Sequence, residues 1–226
     1  MNLLAIECTH TSMSVAVSRN GAVNVVYGGE WSRTAETIMP LVQLALEESG
    51  TPKDRIDAVA VSSGPGSFTA LRIGMSAAKG LAFGLGIPLV PVPTLPAMAA
   101  AALAFTSSSA IVPAIPSRKG EYYYACYRRE DLEACNFSDE SLRGSIGDVV
   151  AAAVNSGHDA VIVCRSSEDF QVLSGNGEAD VLVADFFSAA SILPEALRRA
   201  AEGRVVAPSE AVSDYRQKFE SGCLKK

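Results

Sequence analysis

Hydrophobic and polar positions change period several times along the first hundred residues, and each change marks an element. Residues 3–8 are an almost unbroken apolar run that reads as a strand. Residues 14–18 form a second strand and residues 23–27 a third, separated by Arg19-Asn20-Gly21. Asn-Gly between apolar runs marks a tight hairpin, because both residues tolerate positive φ. The period then lengthens. Ile38, Leu41, Val42, Ala45 and Leu46 recur at the spacing of one helix face, and Gly50 with Pro52 ends that helix. Residues 56–61 are apolar nearly throughout, as a strand buried on both faces requires. After a glycine-rich turn, Ser67 or Thr69 caps a helix to about residue 85. Residues 89–92 make a short strand, and residues 95–105 an alanine-rich helix.

The order β-β-β-α-β-α-β-α, a meander followed by crossover units, predicts an α/β fold with helices on both faces of a mixed sheet. It is the order of the ribonuclease H-like fold, of which actin, Hsp70 and sugar kinases each contain two copies. The expected architecture is therefore an actin/Hsp70-like ATPase fold of two domains, the second reduced. Thr106-Ser107-Ser108-Ser109 reads as a linker, dividing residues 1–105 from a smaller α/β unit with a tail at 106–226. In that second unit, residues 111–115 and 122–127 flank Arg118-Lys119-Gly120 as a hairpin. Residues 146–155 and 191–201 read as helices, 159–164 and 181–184 as strands, and the chain beyond 202 as coil.

Composition narrows the classes of partner. Of 226 residues, 48% are hydrophobic and mean hydropathy is +0.20, enough for a sizeable core and unlike a disordered chain. The net charge of -6 offers no basic face to a nucleic-acid backbone. Basic residues come only as pairs: Arg118-Lys119, Arg128-Arg129, Arg198-Arg199 and Lys225-Lys226, all read as solvated surface. An RNA partner is thus expected to be held by another subunit. Five cysteines without a C-x-x-C pair, and no leader pattern, fit a reduced cytosolic compartment. The charge-free stretch between Lys79 and Arg118 is broken by Pro88, Pro91, Pro93 and Pro96, which suits core or interface rather than a membrane span.

Three features carry candidate chemistry. Ser62 to Thr69 joins a buried strand to a helix N-terminus, where Gly64, Gly66, Ser67 and Thr69 fit either a phosphate cradle or a tight turn. Glu7, beside Thr9 and Thr11, fits either a metal contact through water or a strand-end residue bonded to nearby N–H groups. Ala70, Gly74, Ala77, Ala78 and Leu81 form a mostly small-residue stripe, suited to a subunit interface or to packing on the chain's own sheet. His10 and His158 are too far apart in sequence to form a helical metal pair, and no G-x-S-x-G elbow is present.

The runs Leu4-Ala5-Ile6-Glu7-Cys8-Thr9, Ser63 to Gly74 and Ala78-Lys79-Gly80-Leu81-Ala82 resemble the TsaB (YeaZ) family, with weaker echoes at Val112 to Ile115, Arg118 to Glu121 and Tyr215-Arg216. The resemblance implies a non-catalytic subunit in the formation of threonylcarbamoyladenosine in tRNA. Such a subunit supports a paralogous TsaD-type transferase that carries the metal-binding histidines. A TsaE-type ATPase joins the assembly, and tRNA is contacted through the complex. It further implies an interface at Glu36, Pro40, Ala70, Gly74, Ala77, Ala78 and Leu81, a homodimer in the absence of the paralogue, and no catalytic or metal residue of its own. It leaves open ATP or ADP at the subunit interface. Departures are Glu7 for the usual aspartate, Thr34-Ala35-Glu36 for His-Ser-Glu, and Pro116-Ser117 for Asp-Ala. The competing classes are an actin-like ATPase or small-molecule kinase, needing magnesium near Glu7, and a glycoprotease-type metallopeptidase, needing a histidine pair.

Overall fold

Two mixed sheets share a helical layer between them in the computed structural model, which describes residues 1–9, 12–29, 34–118, 120–157, 159–175 and 179–213. Expectations attached to His10, Thr11, Lys119, His158, Tyr215, Arg216, Cys223, Lys225 and Lys226 lie outside the described residues.

The first sheet follows the predicted order: β1 (Leu3–Glu7), β2 (Ser14–Arg19), β3 (Ala22–Tyr27), α1 (Thr34–Glu48), β4 (Ala58–Gly64), α2 (Phe68–Leu85), β5 (Leu89–Pro93) and α3 (Thr94–Ala102). Its strands lie in the order β3-β2-β1-β4-β5. β1 and β2, like β2 and β3, are antiparallel, whereas β1–β4 and β4–β5 are parallel. Arg19 faces Ala22 across a two-residue turn in which Asn20 and Gly21 have φ of 51° and 83°, the conformation that favours Asn-Gly there.

The period of two in these strands sorts side chains to opposite faces. Leu4, Ile6, Val15, Val17, Val59 and Val61 pack toward α1 and α2. Leu3, Ala5, Ala16, Ala58 and Ala60 face the other way, into a core that also holds Ile111, Val161 and the alanines of α3. Small residues on that face let a helix lie close to the sheet.

The second sheet comprises β6 (Ala110–Pro116), β7 (Glu121–Tyr124), β8 (Tyr127–Arg128), β9 (Leu142–Ser145), β10 (Ala160–Cys164) and β11 (Asp180–Val183). Its order is β11-β10-β6-β7-β9, with β8 paired to β6. Helices α4 (Arg129–Glu133), α5 (Ile146–Val154), α6 (Ser167–Ser174) and α7 (Ala189–Ala201) complete the chain. β8, β9, α4 and α6 were not anticipated. α5 covers the outer face through Val149, Val150 and Ala153, and its Ser145 caps it with Asp148 in a reciprocal box.

One expectation needs correction. Residues 106–226 were assigned to the second unit, yet α7 packs on β1, β2 and β5 of the first sheet. Val206 then pairs with Leu89 along the β5 edge at 2.9 and 3.0 Å, and Ala211 is buried in the first unit's core. The cause is apolar burial: Ile192, Leu193 and Ala196 of α7 fill the layer beside α3. The chain therefore crosses between the sheets twice.

Of the basic pairs read as solvated surface, Arg199 departs from that expectation and Arg128 is exposed as expected. Arg199 is buried, bonded to Glu195 at 2.5 Å and to Asp139 at 2.6 Å, while Arg128 and Arg129 pair with Glu130, Asp131 and Glu133. Among the described residues no helix is long and apolar enough to cross a membrane.

Leu95 is 1% exposed in the layer that touches both sheets. Leu95→Ala is expected to lower stability by about 2–5 kcal/mol, read from urea unfolding.

Candidate functional site

β1 and β4 of the first sheet and β10 of the second end at one cleft, which holds Glu7, Ser62 and, just past β10, Arg165. Glu7 closes β1 on the face shared with Leu3 and Ala5, so its side chain enters the space between the sheets. It has no exposed surface. Its carboxylate accepts from the Thr9 N–H and the Thr9 hydroxyl, both at 2.5 Å, and from the Ser62 hydroxyl at the end of β4. From the second sheet, Arg165 directly follows β10 and is also buried. Its Nη2 donates to Thr9 Oγ1 at 2.8 Å, so one hydroxyl links the guanidinium to the carboxylate. Asp169, the cap partner of Ser166 on α6, lies behind it and accepts from the Tyr122 hydroxyl at 3.4 Å. Burial pulls the Arg165 guanidinium down to about 10, with Glu7 and Asp169 acting against that loss, and burial beside Asp169 pushes the Tyr122 hydroxyl up to about 12. Of the two readings of Glu7, the geometry favours a carboxylate consumed by donors of its own chain.

The glycine turn fits a nucleotide phosphate poorly. Gly64 is buried. A side-chain carbon at Gly66 would sit 2.8 Å from Thr9 Cβ, so Gly66 is glycine because Thr9 occupies the space above it. Ser67 and Thr69 are exposed at the α2 N-terminus, and Ser67 makes no side-chain cap bond. The four residues predicted to cradle a phosphate thus meet at one strand–helix junction, but Thr9 and Arg165 fill the side facing the cleft. Lys79, the only lysine on α2, is turned away and donates to the Ala211 carbonyl at 3.0 Å.

The predicted interface stripe divides by face. Ala70, Gly74 and Ala78 are buried against the chain's own sheet, and a side chain at Gly74 would meet Cys8 Sγ at 3.2 Å. A partner cannot reach these three, which corrects their assignment. Ala77 and Leu81 are half-buried, and Glu36 and Pro40 are exposed on α1. The outward surface of the two helices is apolar beyond the predicted residues: Met39 is 47% exposed and Phe83 82%. Between the helices runs a groove of 490 Å³ lined by Met39, Pro40, Leu46, Leu81 and Leu85. Sequence reading missed Met39, Phe83 and Arg165. Phe83 was the findable one, an aromatic between Ala82 and Gly84 on the helix side opposite the small residues.

Two of the thiols are buried and unreactive. Burial, reinforced by Glu7, raises the Cys8 thiol, and burial pushes Cys164 up to about 12. Among the described residues no three His, Cys, Asp or Glu side chains gather as a metal-holding group.

The paired mixed sheets, with strand ends meeting at a cleft, define an α/β protein of the actin-like, ribonuclease H-like class. The sequence profile of TsaD, described as tRNA N6-adenosine threonylcarbamoyltransferase, matches residues 31–143. The chain is 39% identical over 131 residues to the tRNA threonylcarbamoyladenosine biosynthesis protein TsaB of Escherichia coli K12, covering 58% of this chain and 57% of that protein. It is 30% identical over 175 residues to TsaB of Haemophilus influenzae, covering 77% of this chain and 72% of that protein. YeaZ from Pseudomonas aeruginosa shares the fold with a TM-score of 0.78 at 24% identity, over 95% of this chain and 99% of that one. The chain belongs to the TsaB (YeaZ) family.

Two outcomes follow from the site. Gly74→Leu is expected to cost about 1–3 kcal/mol in urea unfolding, because it forces Cys8 and Val61 aside. Under native conditions iodoacetamide is expected to modify the exposed Cys126 and Cys135, leaving Cys8 and Cys164 unmodified until the chain is unfolded, as read by peptide mass spectrometry.

Proposed function

We propose that this chain is a non-catalytic partner subunit in the formation of threonylcarbamoyladenosine in tRNA, docking a TsaD-type transferase through the outer face of α1 and α2. The observation that carries the reading is that face itself. Met39 and Pro40 line a groove that the chain's own core leaves open, and Phe83, outside that groove, stands exposed on α2; both helices lie within the region that the TsaD profile also matches. A face shared between paralogues suits a pseudo-symmetric pairing of like helices, in which apolar anchors supply most of the affinity. In the absence of the transferase the same face would pair two copies of this chain.

The chain contributes shape rather than chemistry. Glu7, the carboxylate with no exposed surface among the described residues, is bonded within the chain, and the chain's acidic balance leaves the tRNA backbone to other subunits. A nucleotide, where the assembly uses one, lies at the subunit interface, with a TsaE-type ATPase joining the complex. Such work belongs in the cytoplasm. Size exclusion with the TsaD-type protein of the same organism tests the proposal. Wild type is expected to co-elute, and Met39→Glu or Phe83→Glu to weaken the complex about thirtyfold or more without changing the unfolding midpoint. Co-elution untouched by either variant would remove the interface from this face. Failure of wild type to form any complex would remove the partner role.

A further inference from the structure

The cleft where an actin-like fold would hold a ligand contains, in this chain, its own ions. Glu7 ends the central strand of the first sheet with no exposed surface. Arg165 follows the strand β10 of the second sheet and reaches across to the Thr9 hydroxyl that also donates to Glu7. The Arg165 Nε is buried without a hydrogen-bond partner, so the guanidinium is held there for its charge and reach rather than by a full set of bonds. Thr9 in turn packs directly over Gly66. Nearby, the Ala189 N–H at the start of α7 donates to Ser14 Oγ at 2.8 Å, on the same face of the first sheet as Glu7.

We propose that Arg165 is the resident cation of this cleft, a built-in substitute for a bound metal–nucleotide complex that fastens the second sheet to the first in one closed arrangement. A buried carboxylate needs a positive partner. Here the partner is covalently part of the chain, so closure does not wait for a ligand and is not reversed by losing one. Three groups set the geometry: the carboxylate of Glu7, the hydroxyl of Thr9 as bridge, and the guanidinium of Arg165, with Asp169 supplying a second negative charge from α6. The assignment rests on these contacts alone and stands whether or not the chain docks a transferase.

A double-mutant cycle on the full chain tests it. Arg165→Met leaves Glu7 uncompensated and Glu7→Gln leaves Arg165 underpaired. Each is expected to raise the unfolding equilibrium constant on the order of a hundredfold. The double variant is expected to be at least about tenfold less destabilised than the product of the two singles, because both charges leave together. Should Arg165→Met fail to fold, Thr9→Val, which removes only the bridging hydroxyl, replaces it in the cycle with Glu7→Gln. Magnesium with ADP or ATP is expected to leave the thermal midpoint of wild type unchanged. Multiplicative single effects, an Arg165→Met variant as stable as wild type, or a wild-type midpoint raised by magnesium–nucleotide would each overturn the proposal.

Discussion

A carboxylate without access to water stands at the end of the central strand, and the surrounding structure is arranged to satisfy it. Glu7 shares its face with Leu3 and Ala5, so the alternation that builds the core between the sheets also drives this acid into that core. Its oxygens are met by Thr9 and by Ser62 on the neighbouring parallel strand. Thr9 must then lie close over the turn, which requires Gly66 to have no side chain. Charge balance comes from Arg165, carried by the other sheet. The hydroxyl bridge, the glycine turn and the relation of the two sheets are thus consequences of one buried charge.

The same site separates fold from function. An actin-like arrangement of strands brings three strand ends to one cleft, which in an ATPase serves as a binding site. Here the cleft is occupied by the protein's own side chains, and exposed apolar side chains stand beyond the opposite face of the first sheet, on α1 and α2. Phe83 and Met39 are exposed there. Fold alone does not assign chemistry, which depends on the residues placed at the strand ends.

The first sheet was legible in the sequence because its signals are strong and mutually consistent. Continuous apolar runs marked β1 and β4, Asn20-Gly21 marked the hairpin, and a 3.6-residue period marked α1. The second half was less so for physical reasons. β9 is mostly exposed and carries Arg143 and Gly144, so nothing in its pattern sets it apart from coil. Helix α4 has only five residues, too few for a period to register. The stripe of Ala70, Gly74 and Ala78 gave the correct spacing but not its neighbour, since small residues suit a partner helix and the chain's own sheet equally. Arg165 is one basic residue after an apolar strand, with no spacing that sets it apart. Only the meeting of two sheets gives it a role.

The return of α7 and Val206 to the first sheet has a consequence for synthesis on the ribosome. The first sheet is interrupted rather than followed by the second: its edge strand β5 and its inner helical layer are completed by residues more than eighty positions further along. Residues 1–105 therefore emerge with that layer half built and the β5 edge bare, and they remain so until the chain beyond residue 206 has left the exit tunnel. A first unit that folds early does so with that face and edge still uncovered. The helical layer between the sheets is completed by α7 only after the strands of both sheets have been synthesised.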